Sequence, residues 1–250
     1  MLTSVRSLLA ATVLAGSALA ATPALADDAS TSGLTISGNV ALVTDYRFRG
    51  VSLSGGDPAI QGGLDLTHTS GFYIGTWASS IAGGTPYGEM ELDLYGGWTG
   101  EVTPGVSINA GLLYYVYPTG DVSGANTDYF EPFASISTTI GPVGATVGVN
   151  YAWSQDSLGG DDNLYIHTEL TAGIPNTPIS LSAHAGYTKG VLAPPFLAGS
   201  TDDSGFDWSI GASTTVIGGL TAGVSYVGVE GPSIDGFTDD TIVGTLTYRM

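Results

Sequence analysis

Hydrophobic and polar positions alternate along this chain with a period of two, beginning at Leu34. Leu34, Ile36, Val40, Leu42, Tyr46 and Phe48 share one parity, and Thr35, Ser37, Asn39, Asp45, Arg47 and Arg49 share the other. That period belongs to a β-strand with one apolar and one polar face. The pattern returns along the chain and predicts about twelve strands. They fall over residues 34–49, 59–68, 72–81, 89–99, 106–117, 129–140, 145–154, 163–174, 179–189, 206–216, 221–229 and 241–250. An even count of this size suits single-chain outer-membrane barrels. No stretch holds a helical period, and no shift in composition marks a second domain.

The punctuation between strands says more than the strands themselves. Tight connections at 69–71, 101–105, 141–144, 175–178 and 217–219 alternate with long ones at 50–58, 82–88, 118–128, 155–162, 190–205 and 230–240. Short turns on one rim and long loops on the other predict a closed antiparallel transmembrane β-barrel, with periplasmic turns and longer extracellular loops. Aromatics on the apolar parity sort by height. Tyr46, Phe48, Tyr114, Phe130, Tyr151, Trp153, Tyr187, Phe206, Trp208 and Tyr226 fall near the long-loop ends, and Phe72, Trp98 and Tyr248 near the short turns. Two aromatic belts around an aliphatic band match the two faces of a lipid bilayer. Two places fit less simply. Tyr73 and Trp77 oppose Phe72 and Ile74, leaving bulky groups on both faces of the third strand, and Pro132 inside the sixth predicts a bulge.

Composition narrows the setting. Charged residues make up only 11% of 250 residues, so much of the surface faces something other than water. The absence of Cys excludes a disulfide framework and thiolate metal sites. Residues 1–26 read as a secretory signal, with Arg6, an apolar stretch from Leu8 to Leu19, and Ala24-Leu25-Ala26 before a mature domain at 27–250. A net charge of −18 becomes −19 without Arg6, and such a chain repels nucleic acid. The expected location is the Gram-negative outer membrane.

The inward parity collects the candidate chemistry. Asp45, Arg47, Arg49, Asp65, Glu89, Glu91 and Asp93 are expected to line the lumen, with Glu131, His167 and Glu169. Gln61, His184, Asp207 and Arg249 share that face, as do Tyr95, Tyr115, Tyr117, Tyr129 and Tyr165. Carboxylates outnumber arginines, a balance that attracts cations and opposes anions. Arg47 and Arg49 facing Glu89, Glu91 and Glu131 form either a charged constriction or an ion-pair network that fills and stiffens the barrel. His167 and His184 with Glu169 have the residue types of a metal site, but a lumenal hydrogen-bond network is the commoner use, and no metal or cofactor is expected. A lipid-facing hydrolase would need a His beside a Ser. Only His68 has the right parity, next to a turn serine, so the chain reads as non-enzymatic. With no domain before the first strand or after Met250, neither energy-coupled uptake nor anchoring through a soluble module is expected.

Several runs carry a resemblance. They are Asp45-Tyr46-Arg47-Phe48-Arg49-Gly50-Val51-Ser52, Asp57-Pro58-Ala59-Ile60-Gln61-Gly62-Gly63-Leu64-Asp65 and Gly71-Phe72-Tyr73-Ile74-Gly75-Thr76-Trp77-Ala78-Ser79. Glu91-Leu92-Asp93-Leu94-Tyr95-Gly96-Gly97 and Tyr115-Val116-Tyr117-Pro118 continue them. The chain resembles the proteobacterial conserved hypothetical family Gcw_chp, also called TorF-family porins. The resemblance implies a passive outer-membrane diffusion channel. Its partners would be outer-membrane lipid, small solutes or ions, and the barrel-assembly machinery. The alternatives are a closed structural or loop-binding barrel and, more distantly, a membrane-embedded hydrolase.

Overall fold

The twelve alternating segments close into a single antiparallel barrel in the computed structural model, which describes residues 33–120 and 126–250. The expected signal segment and residues 27–32 lie outside the described residues. The barrel strands are β1 (Leu34–Val43) and, after two short strands β2 (Arg47–Phe48) and β3 (Val51–Ser52) that pair only with each other, β4 (Ala59–His68), β5 (Phe72–Gly83), β6 (Gly88–Thr103), β7 (Val106–Val116) and β8 (Tyr129–Ile140). They continue through β9 (Val143–Ala152), β10 (Asn163–Gly173), β11 (Ile179–Gly190), β12 (Ser204–Ile217), β13 (Leu220–Val229) and β14 (Thr241–Arg249). Each pairs with its sequence neighbour in the barrel, and β1 closes the ring by pairing with both β4 and β14. Closure leaves no free edge, which a hydrocarbon environment demands of any sheet.

Side-chain parity follows the period-two reading. Ile36, Ile74 and Ile242 point outward and are 70%, 62% and 67% exposed, a position that only lipid makes favourable. The upper aromatics pack in clusters between neighbouring strands. Tyr114 stacks on Phe130 at 4.2 Å, Phe130 lies parallel to Trp153 at 6.1 Å, and Trp208 meets Tyr226 at 5.3 Å. Three girdle hydroxyls donate to aspartates that open the next strand: Tyr114 to Asp128, Tyr151 to Asp162 and Tyr226 to Asp240. Each ring thus keeps an apolar body in the membrane and a polar tip in the loop layer. Phe72 and Tyr248 are exposed at the opposite rim.

Three expectations need correcting. The first strand does not run to Arg49: it ends at Val43, and residues 45–54 turn into the lumen. Tyr46 and Phe48 are therefore buried inside the barrel and are not part of the lipid-facing girdle. Pro132 makes no bulge. The β7–β8 register passes Leu112↔Pro132 unbroken, and the β8–β9 ladder simply begins one residue later, at Phe133↔Asn150. The irregularities fall instead at Glu101/Thr103 and Thr215/Ile217, beside short turns. In β5 the inward face is that of Tyr73 and Trp77. Tyr73 donates to the lumenal Asn109 at 2.7 Å, and Trp77 packs edge-on against Tyr46 at 5.4 Å.

Inside, aromatic and imidazole rings lie flat across glycines of the neighbouring strand. Tyr95 covers its cross-strand partner Gly75, and His167 covers Gly148. A Cβ at either glycine would strike the ring, so these residues set the height at which lumenal rings sit.

Candidate functional site: the lumen and its inserted hairpin

The segment that enters the lumen is a miniature β-hairpin, β2 (Arg47–Phe48) against β3 (Val51–Ser52). Its two-residue turn is Arg49-Gly50, with φ of 49° and 79°. Positive φ at both central residues is what two-residue hairpin turns require. Glycine adopts it freely, whereas arginine does so at a cost. The side chain of Arg49 accounts for the exception.

Arg49 Nη2 donates to both oxygens of Glu131, at 2.7 and 2.8 Å, with side chains 2% and 0% exposed. Tyr115 and the Asn150 amide also donate to Glu131, each at 3.2 Å. The other guanidinium nitrogens find no acceptor among the described residues. The charge instead lies between the Phe48 ring at 4.6 Å and the Tyr165 ring at 4.3 Å. This is a cation stabilised by one carboxylate and two aromatic faces.

A second cluster ties the hairpin to the last long loop. Arg47 Nε donates to Asp45 at 2.5 Å, and its Nη2 donates to Asp239 at 3.0 Å. Arg47 Nη1 reaches the Asp239 carbonyl at 2.8 Å, and the hydroxyls of Ser52 and Ser54 donate to Asp45. Partial burial raises the Asp239 carboxyl, but the hydrogen bond and charge of Arg47 outweigh it and hold the group below the ordinary carboxylate range.

On the adjoining β6–β8 wall Tyr46 donates to Glu91 at 3.1 Å, and Tyr115 stacks on Tyr129 at 4.4 Å. Asp93 is fully buried, and neither of its oxygens has a hydrogen-bond partner among the described residues. Lower down, Tyr95 donates to Asp65 at 2.6 Å. Tyr117 lies at the upper edge, half-buried and edge-on to Tyr87 at 4.9 Å. Tyr165, His167 and Glu169 point inward from β10, where Tyr165 meets His184 and Asp207 at 2.9 and 3.1 Å. Glu89 is exposed at the rim and does not join these contacts. His68 and Ser70 do touch, at 2.7 Å, but the Ser70 backbone N–H also donates to His68 Nδ1. That contact caps an exposed turn.

Beneath the hairpin lies a cavity of about 240 Å³. Ser107, Ser135, Ser182, Ser209, Ser225 and Thr245 border it together with apolar residues and with acids and tyrosines such as Glu169 and Tyr165. The sequence pattern does not single out these hydroxyls, and sequence reasoning missed them. It also missed Asp239, Asn150, Ser52 and Ser54 as partners of the hairpin. Their only signal is polar character on an inward parity or in a loop, which is too common to single them out.

Of the two arrangements open to Arg47 and Arg49, the structure contains the ion-pair network. The two arginines are carried by the inserted hairpin and not by the barrel wall.

Solved structures with a similar fold are outer-membrane porins. The NanC porin aligns with a TM-score of 0.56 and 9% identity, covering 85% of this chain and 98% of that one. The KdgM porin, solved in complex with disordered oligogalacturonate, aligns with a TM-score of 0.54 and 7% identity, covering 85% and 97%. At such identities the likeness concerns the fold alone. A search of curated protein sequences finds no match. Residues 27–247 match the family model described as a bacterial protein of unknown function, Gcw_chp, and with nearly all of the barrel inside that match the chain belongs to this family.

Proposed function

We propose that this protein is a passive outer-membrane diffusion channel of the TorF type, exported by a signal at 1–26, whose conductance is limited by the hairpin at 47–52. The observation that carries this reading is the division of the lumen. The inserted hairpin occupies the upper half, while a cavity bordered in part by serine and threonine hydroxyls lies in the lower half. A barrel built only as a membrane anchor would be expected to fill both halves with side chains, as small closed barrels do.

Charge sets the expected preference. Asp45 and Glu131 are matched by Arg47 and Arg49, which leaves Asp65, Glu91, Asp93, Glu169 and Asp207 without an arginine partner. An acidic pore with low-dielectric walls favours cations and small neutral or zwitterionic solutes over anions. Oligogalacturonate, seen with the KdgM porin, is a polyanion and would be opposed here. The tyrosines offer stacking and hydroxyl contacts to a small solute.

A second reading, a closed barrel acting through its loops, is favoured by the near-complete burial of Arg49 and Glu131. Planar-bilayer recording separates the two. We expect discrete current steps, with a reversal potential in a salt gradient that shows cation preference. Anion preference would refute the charge argument, and an absence of steps from cleanly folded protein would favour the closed barrel. The hydrolase reading gains nothing from the exposed His68–Ser70 turn, to which no carboxylate is hydrogen-bonded among the described residues.

A further inference from the structure

We propose that His167, Glu169 and His184 form a binding site for a divalent transition-metal ion of the zinc class, on the lumen wall directly below the hairpin. Strand register brings the three together. His167 and Glu169 are successive inward residues of β10, and His184 is the cross-strand partner of Glu169 on β11. One ligand atom from each lies within 4.8 Å of the other two.

The separation of His167 from Glu169 suits a metal. Bonds of about 2.0–2.1 Å in tetrahedral geometry put ligand atoms about 3.3 Å apart. His167 Nδ1 lies 3.7 Å from Glu169 Oε1, and it is buried without a hydrogen-bond partner. His184 Nδ1 is hydrogen-bonded directly to the same carboxylate oxygen, a contact that a bound metal would replace. His167 Nδ1 is then a buried atom with no partner beside a carboxylate that it could share through a metal.

A surrounding frame orients the ligands. His184 Nε2 is bonded to Asp207 Oδ1 at 2.6 Å, and Tyr165 shares both groups. A carboxylate on the distal nitrogen of an imidazole fixes its tautomer and directs the proximal lone pair toward a metal. His167 is held flat by Gly148 below and by Tyr165, whose ring is stacked at 5.2 Å. Two imidazoles and one carboxylate suit zinc, nickel or copper, whereas calcium and magnesium prefer oxygen-only sets. Three protein ligands leave a fourth position open, and all three residues border the cavity. The competing arrangement is an imidazolium at His184 bridging Glu169 and Asp207, which would need no metal.

The site does not depend on conduction, so binding tests it directly. The full-length barrel, folded in detergent micelles, is titrated with zinc chloride by calorimetry, with magnesium chloride as the hard-ion control. We expect one zinc per barrel and no comparable uptake of magnesium. His167→Ala and Glu169→Gln should each weaken binding at least about ten-fold, and Asp207→Asn about 10- to 100-fold through the lost orientation of His184. His68→Ala should bind like the unaltered chain. Gly148→Ala keeps every ligand but displaces the His167 ring, so it should weaken binding even if a ligand variant fails to fold. Absence of stoichiometric zinc uptake would overturn the proposal. So would equal uptake by the His167→Ala/His184→Ala double variant, which would assign the ion to the loop aspartates.

Discussion

Replacing Arg49 with alanine is expected to undock the hairpin, because it strands Glu131 as an unpaired carboxylate in the barrel interior. Removing one partner of a buried ion pair costs about 3–5 kcal/mol, most of it the desolvation of the charge left behind. Here the loss falls on the hairpin and not on the barrel, since the twelve-stranded ladder does not run through residues 44–58. Amide exchange across 47–52 should accelerate about a hundred-fold or more, at roughly ten-fold per 1.4 kcal/mol. The Arg49→Ala/Glu131→Leu pair removes both charges and should recover part of the protection. Unchanged exchange in Arg49→Ala would mean that Arg47, Tyr46 and Phe48 hold the hairpin without the pair.

The second large effect concerns the barrel wall. Val224 and Ser225 are adjacent on β13. Val224 faces outward at 52% exposure, and Ser225 lines the cavity. The same substitution at the two positions should give opposite results. Val224→Arg puts a guanidinium near the middle of the hydrocarbon layer, at a cost of about 2–4 kcal/mol. Ser225→Arg puts it in an acidic, wet lumen and should change stability by less than about 1 kcal/mol. Reversible urea unfolding in lipid vesicles reads both. Equal costs, or the larger cost at Ser225, would contradict the assignment of faces.

The fold was legible because membrane barrels impose three independent patterns on one chain: alternation within strands, alternation of loop lengths, and aromatics sorted by height. Eleven of the expected strands lie where the period-two pattern puts them, with ends moved by a few residues. The first did not, and the reason is physical. Residues 44–49 continue the alternation of 34–43, so periodicity alone reads them as the same strand. Sixteen residues exceed the ~10 that a tilted strand needs to cross, but β6 is just as long and stays in the wall. What separates the two is a long-range fact: Arg47 and Arg49 also pair with Asp239 and Glu131, far away in sequence. Tyr46 and Phe48 then read as girdle residues because their parity matches the lipid face, while the turn after Val43 rotates them inward. The candidate site was legible in kind, as acids, arginines and tyrosines facing inward. It was not legible in its division into an occluded upper half and a lower half with a cavity bordered in part by hydroxyls, since serine and threonine on an inward parity look alike whether they border a cavity or a neighbour.

If the inserted hairpin, and not the barrel wall, sets what the lumen passes, removing it must change conduction. Single channels are recorded from the unaltered protein and from a variant in which residues 45–57 are replaced by a short Gly-Ser turn. Small steps should grow several-fold when the hairpin is gone, with cation preference retained from Glu91, Asp93 and Glu169. Equal steps in both proteins, or none in either, would contradict this role of the hairpin.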